Sequence, residues 1–83
     1  MKTSTESLKG KVVMDENGMM LGLAKNVSAN FRTGELVDLL VEPADDIDQT
    51  LFRQNDKGSI LIPFSSVQSI KDVVVVETGE KTR

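Results

Sequence analysis

The dipeptide Asn17-Gly18 stands between two apolar runs, and no other short feature constrains the fold of this chain more. Asn-Gly readily takes the positive φ angles of a type I′ turn, so the flanking runs are read as the strands of an antiparallel hairpin. Lys11 to Asp15 alternates, with Val12 and Met14 on one side and Lys11, Val13 and Asp15 on the other, the period of a half-buried strand. After the turn, Leu21, Leu23, Val27, Ala29 and Phe31 share one parity, with Lys25 the exception, and are expected to face inward. Gly22 within this strand predicts a bulge or a close backbone approach, a device by which a sheet bends into a barrel.

Arg32 to Glu35 reads as a second turn, and Leu36 to Glu42 as a third strand with Val37, Leu39 and Val41 on an apolar face. Pro43 stops it. Ala44 to Gly58 is acidic and polar. Ile47 and Leu51 lie four apart there, which predicts a short helical turn over a barrel opening, capped by Asp45 or Asp46. Ser59 to Ile62 returns to strand, Phe64 to Val67 reads as a tight corner, and Val73 to Val76 follows a Lys71-Asp72 turn as the last strand. Five to six short strands joined by tight turns describe an all-β fold, a small antiparallel β-barrel whose closure removes the unpaired edges of an open sheet. The barrel domain is placed at 8–77, between a polar arm (1–7) and a tail (78–83).

Composition narrows the function. The chain has no cysteine and no histidine, so disulfides, the usual zinc ligands, a Cys nucleophile and the commonest general base are all missing. A net charge of -3 and scattered basic residues argue against nucleic-acid binding, which needs clustered Lys and Arg. No apolar run approaches the roughly 20 residues that span a membrane, and no segment resembles a signal peptide; a cytoplasmic protein without direct membrane insertion is expected. Asp45, Asp46, Asp48 and Asp56 invite a calcium reading, but counting from Asp46 puts Leu51 and Lys57 where an EF-hand needs Gly and Glu. Asn26-Val27-Ser28 matches a glycosylation sequon in a predicted strand, and Ser65 and Ser66 have no base to activate them; both are read as incidental. Neither a catalytic set nor a cofactor or metal set emerges, and the chain is expected not to be an enzyme.

Taken in order, Gly10-Lys11-Val12-Val13, Asp15-Glu16-Asn17-Gly18, Leu21-Gly22, Thr33-Gly34-Glu35-Leu36, Leu39-Leu40-Val41-Glu42, Ile60-Leu61-Ile62-Pro63-Phe64 and Asp72-Val73-Val74-Val75 resemble the PRC-barrel family. That family is shared by the photosynthetic reaction-centre H subunit and the C-terminal domain of the ribosome-maturation factor RimM. The chain looks most like the short stand-alone archaeal type, some of which are implicated in cell division as partners of the ring anchor SepF. The resemblance implies a protein-binding adaptor, with a SepF-like division protein as one candidate partner and a ribosome-assembly role like that of RimM as the alternative. The acidic segment Asp45 to Gly58 departs from the Gly-rich loop of many members.

The remaining signal is apolar surplus. Val73 to Val76 is apolar at both parities, and Val13, Leu40 and Leu61 fall on the faces expected to point outward. Strands apolar on both sides are normally covered on both sides. Val13, Leu40, Leu61, Val74 and Val76 are therefore the candidate interface, either with a partner protein or across a homodimer.

Overall fold

The computed structural model describes residues 8–78, and within them the chain forms one seven-stranded sheet. The strands are β1 (Val12–Asp15), β2 (Met20–Ala29), β3 (Leu36–Pro43), β4 (Arg53–Gln54), β5 (Ile60–Pro63), β6 (Val67–Ile70) and β7 (Val73–Val76). Their order is β4-β5-β3-β2-β1-β7-β6. The expected arm (1–7) and all of the expected tail except Thr78 lie outside the described residues.

Three of the hairpin turns are built on one plan: an Asx side chain opens each and a glycine in the left-handed region closes it. In the β1–β2 turn, Asp15 Oδ1 accepts from the backbone N–H groups of Asn17 and Met19, and Gly18 at φ +86° donates to the Asp15 carbonyl. Asn55 does the same between β4 and β5, accepting from Lys57 and Ser59 while Gly58 bonds back to it. Asn30 opens the one-residue-longer β2–β3 turn, accepting from Arg32 and Thr33 and closed by Gly34. Asx side chains imitate a backbone turn in this way, and glycine enters positive φ without a Cβ penalty. Asn17 itself has negative φ, because no residue other than glycine has positive φ among those described. The expected type I′ turn is thus a three-residue loop with glycine at its left-handed position.

Two bulges reset the side-chain parity of β2. Val13 pairs with Gly22 and Met14 with Met20, so Leu21 has no opposite number on β1; Ala24 pairs with Val41 and Asn26 with Leu40, so Lys25 has none on β3. Each extra residue shifts the inward set by one. Leu21, Ala24 and Val27 consequently face the core, whereas Leu23, expected inward, is 41% exposed. A further irregularity leaves Val37 unpaired and exposed, and Phe31 projects from the β2–β3 turn at 97% exposure instead of entering the core. Gly22 is the close approach expected of it: a Cβ there would lie 1.9 Å from the Glu42 carbonyl oxygen.

The core consists of Leu8, Val13, Leu21, Ala24, Leu39, Val41, Ile60, Ile62, Val74 and Val76, with Ile47, Phe52 and Phe64 packed against it. Val13, Val74 and Val76 are fully buried, which corrects their assignment to an outer face. Asp15 made the Val13 parity look polar, yet Asp15 is itself buried, its carboxylate occupied by the turn.

The topology departs from a closed antiparallel meander. β1 runs parallel to β7, Val12 to Asp15 in register with Val73 to Val76, and every other pairing is antiparallel. β4 and β6 are edges, so the sheet curls without closing. These two short strands were absent from the sequence expectation, β4 because it lies in the acidic segment and β6 because the corner at Phe64–Ser66, a 3-10 turn, leads directly into it. The helical turn expected in that segment is present as a 3-10 turn at Gln49–Leu51. Its cap is Asp48, which accepts from the Thr50 N–H, rather than Asp45 or Asp46. None of its residues is buried, and cover is supplied instead by the flanking Ile47 and Phe52. No helix among the described residues is long and apolar enough to cross a membrane.

Candidate binding surfaces

Alternation along β1 and β7 puts Val13, Asp15, Val74 and Val76 in the core, so Val12, Met14, Val73 and Val75 must occupy the opposite face of the sheet. Strand pairing arranges these side chains in rows. Leu23, Val12 and Val73 are cross-strand neighbours across β2, β1 and β7, and Met20, Met14 and Val75 form the next row. Leu23 and Met20 are exposed, and Val12, Met14, Val73 and Val75 are half-buried. Leu40 and Leu61 form a direct pair on the outer side of β3 and β5, also half-buried, with Asn26 and Arg53 as their cross-strand neighbours. The Lys25–Glu42 ion pair at 3.7 Å and the Arg53–Asp38 pair at 2.7 Å lie on these outer strands.

Of the candidate interface residues, the structure therefore leaves Leu40 and Leu61 on the surface and places Val13, Val74 and Val76 beneath it. The outward apolar positions that the sequence reading missed are Leu23, Val12, Met14, Met20, Val73 and Val75. Leu23 was hidden by the bulges of β2, whereas Val12 and Met14 were hidden by buried Asp15, which made the opposite parity look like the outer one.

The second feature is a cavity of about 370 Å³ where the β1–β2 turn, the end of β7 and the Gln49–Leu51 turn meet. Asp15, Asn17, Met19, Leu51, Phe52 and Thr78 line it. A smaller one of about 150 Å³ shares Phe52 and Thr78 with it and extends along β5 to Ser66 of the Phe64–Ser66 turn and to Glu77. The only charged residues lining the two are Asp15 and Glu77. Among the described residues no group of His, Cys, Asp and Glu is placed to hold a metal ion. Asp48 is fully exposed; its bonds from the Thr50 hydroxyl and N–H hold its carboxyl below the ordinary Asp value.

A small all-β domain with one unclosed seven-stranded sheet, whose strands β2, β1 and β7 carry apolar rows on the outer face, is the class defined by this geometry. The profile of the PRC-barrel domain family matches residues 4–83, and the chain belongs to that family. It is 32% identical over 82 residues to the uncharacterized protein MJ1118 of Methanocaldococcus jannaschii, an alignment covering 99% of this chain and 89% of that protein. Among solved structures it is similar to a protein described as the 16S ribosomal RNA processing protein RimM of Pseudomonas aeruginosa, with a TM-score of 0.64 at 19% identity. That match covers 90% of this chain but 43% of the Pseudomonas protein, so the likeness is one of fold, over less than half of the larger molecule.

Proposed function

We propose that this chain acts by binding another protein, without chemistry of its own, and that it does so in ribosome assembly in the cytoplasm. The observation that carries the binding reading is the apolar outer face of β2, β1 and β7, where Leu23, Val12 and Val73 sit beside Met20, Met14 and Val75, all exposed or half-buried. Contiguous apolar surface on a small domain marks an interaction site. The fold likeness to RimM supports a ribosomal setting over the cell-division adaptor reading with a SepF-like partner. The net charge of -3 favours a basic protein as the partner over RNA itself.

Gradient sedimentation of extracts from cells that make the protein tests this reading. Co-migration with small-subunit precursors is the expected result, and a profile free of ribosomal particles at every stage of growth overturns it. A second copy of the chain is the other occupant of the same face, since an isologous dimer would bury the two apolar rows of both subunits at once. Light scattering distinguishes it: a mass near 9.1 kDa at high micromolar concentration excludes the homodimer.

A further inference from the structure

Asn17 serves the β1–β2 turn through its backbone, and its side chain is left over. The chain has four asparagines, and three have the side-chain oxygen engaged. Asn26 accepts from Val27 N–H at 2.8 Å, Asn30 from Arg32 and Thr33, and Asn55 from Lys57 and Ser59 at 3.0 Å each. The Asn17 side chain makes no hydrogen bond among the described residues; it is exposed and lines the larger cavity, where it has room to change rotamer. It is also the asparagine that precedes a glycine. Without a Cβ, Gly18 leaves its own backbone nitrogen open to approach, and nothing lies within 4 Å of where a Cβ would stand. The residues that follow the other asparagines are bulkier: Val27, branched at Cβ, then Phe31 and Asp56.

A free side-chain amide beside an unhindered backbone nitrogen is what intramolecular imide formation requires. We infer that Asn17 is the site at which this chain deamidates spontaneously, through the Gly18 nitrogen, and that isoaspartate is the main product. The Gly18 nitrogen bonds to Asn17 Cγ as its proton leaves to water; the Cγ–Nδ2 bond breaks, and ammonia departs with a proton from solvent, leaving a cyclic imide. Water then opens the ring at Cγ to give aspartate, or at the backbone carbonyl of Asn17 to give isoaspartate, in which the chain runs through the side-chain carbon. The turn holds this back. In the closed turn Gly18 N–H donates to the Asp15 carbonyl at 3.0 Å, and Asp15 Oδ1 ties down the Asn17 and Met19 N–H groups at 2.9 and 2.8 Å. The Gly18 nitrogen reaches Cγ only when these bonds give way, so the rate follows local opening of the turn. Isoaspartate lengthens the backbone between the two N–H groups that Asp15 holds, and Asp15, 6% exposed, then loses the partners that allow its burial. The modification loosens the β1–β2 hairpin and adds a negative charge beside Asp15 and Glu16, whatever the protein binds.

The test is peptide mapping by mass spectrometry, with fragmentation that separates aspartate from isoaspartate, on the full chain aged in mildly alkaline buffer with and without urea. Conversion at Asn17 ahead of Asn26, Asn30 and Asn55, with isoaspartate in excess over aspartate, is the expected result. The rate at Asn17 should be about tenfold or more higher in urea, the effect of removing the hydrogen bonds that close the turn. Gly18→Ala, followed in urea where its own folding is immaterial, should slow conversion at position 17 severalfold. Earlier conversion at another asparagine, aspartate in excess, or equal rates with and without urea overturns the proposal. So does a Gly18→Ala chain that converts as fast as wild type, or a folded chain unchanged at Asn17 after many unfolded-state half-lives.

Discussion

Replacing Gly22 by alanine should be the most damaging single-methyl change in this protein. The new Cβ would lie 1.9 Å from the Glu42 carbonyl oxygen, 2.9 Å from its carbon and 3.0 Å from Pro43 Cα, all backbone atoms with no rotamer to yield. Reaching the 3.4 Å of ordinary contact demands that β2 and β3 part by about 1.5 Å at a central pairing of the sheet. That opening strains the Ala44 N–H to Leu21 carbonyl bond beside it, now 2.9 Å. A lost hydrogen bond costs about 1 kcal/mol, overpacking about 1–3, and a strained backbone at φ +155° about 1–3, for a total of about 3–7 kcal/mol. Small domains have little more than about 5 kcal/mol in all, so Gly22→Ala should be largely unfolded at 37 °C, or melt at least about 15 °C lower. Gly18→Ala is the control: its φ is +86° but a Cβ there meets nothing within 4 Å, so only the left-handed conformation is penalised, by about 1–2 kcal/mol. Urea denaturation followed by circular dichroism measures both. A Gly22→Ala variant within about 1 kcal/mol of wild type, or no worse than Gly18→Ala, would refute the close-approach argument.

Further expectations follow from burial and charge. Val74→Ala should cost about 2 kcal/mol in thermal unfolding because Val74 is fully buried in the core, whereas Leu23→Lys on the outer face should stay within about 0.5 kcal/mol of wild type. A neutral Val74→Ala would return that residue to the surface. Arg53→Ala removes the 2.7 Å pair with Asp38, but with the Arg53 side chain 57% exposed the loss should be no more than about 1 kcal/mol and should shrink in high salt. Asp48 has a folded-state pKa below its unfolded value, so its contribution to the Gln49–Leu51 turn is present above the unfolded pKa and lost as pH falls through the folded one. An NMR titration of Asp48 with a midpoint at or above the ordinary Asp value of about 3.9 would contradict this.

Periodicity sufficed where pairing is regular and failed where an extra residue intervenes. Leu39, Val41, Ile60 and Ile62 were readable as core from alternation alone, and Gly22 as a place of close approach. Leu23 was misplaced because the bulges at Leu21 and Lys25 change parity without any glycine or proline at the second site to announce it, and Phe31 because β2 ends at Ala29 and leaves it in the turn. Val13 was misread for another reason: its strand partner in parity, Asp15, is polar but buried through turn bonds that no periodicity encodes. The β4–β5 hairpin was hidden in an acidic segment, although Asn55-Asp56-Lys57-Gly58 repeats the Asx-to-Gly spacing of Asp15-Glu16-Asn17-Gly18. The cavity could not be read in advance, since it assembles Asp15, Leu51 and Thr78 from three distant parts of the chain.

What occupies the outer face of β2, β1 and β7 decides the functional account. Incorporating a photo-crosslinking residue at Leu23, with a control at exposed Asp46, and irradiating cells that make the protein reads that occupant directly. The account predicts adducts with a basic protein of the small ribosomal subunit from position 23 and none from position 46. Adducts with a division protein, or equal labelling from both positions, would contradict it.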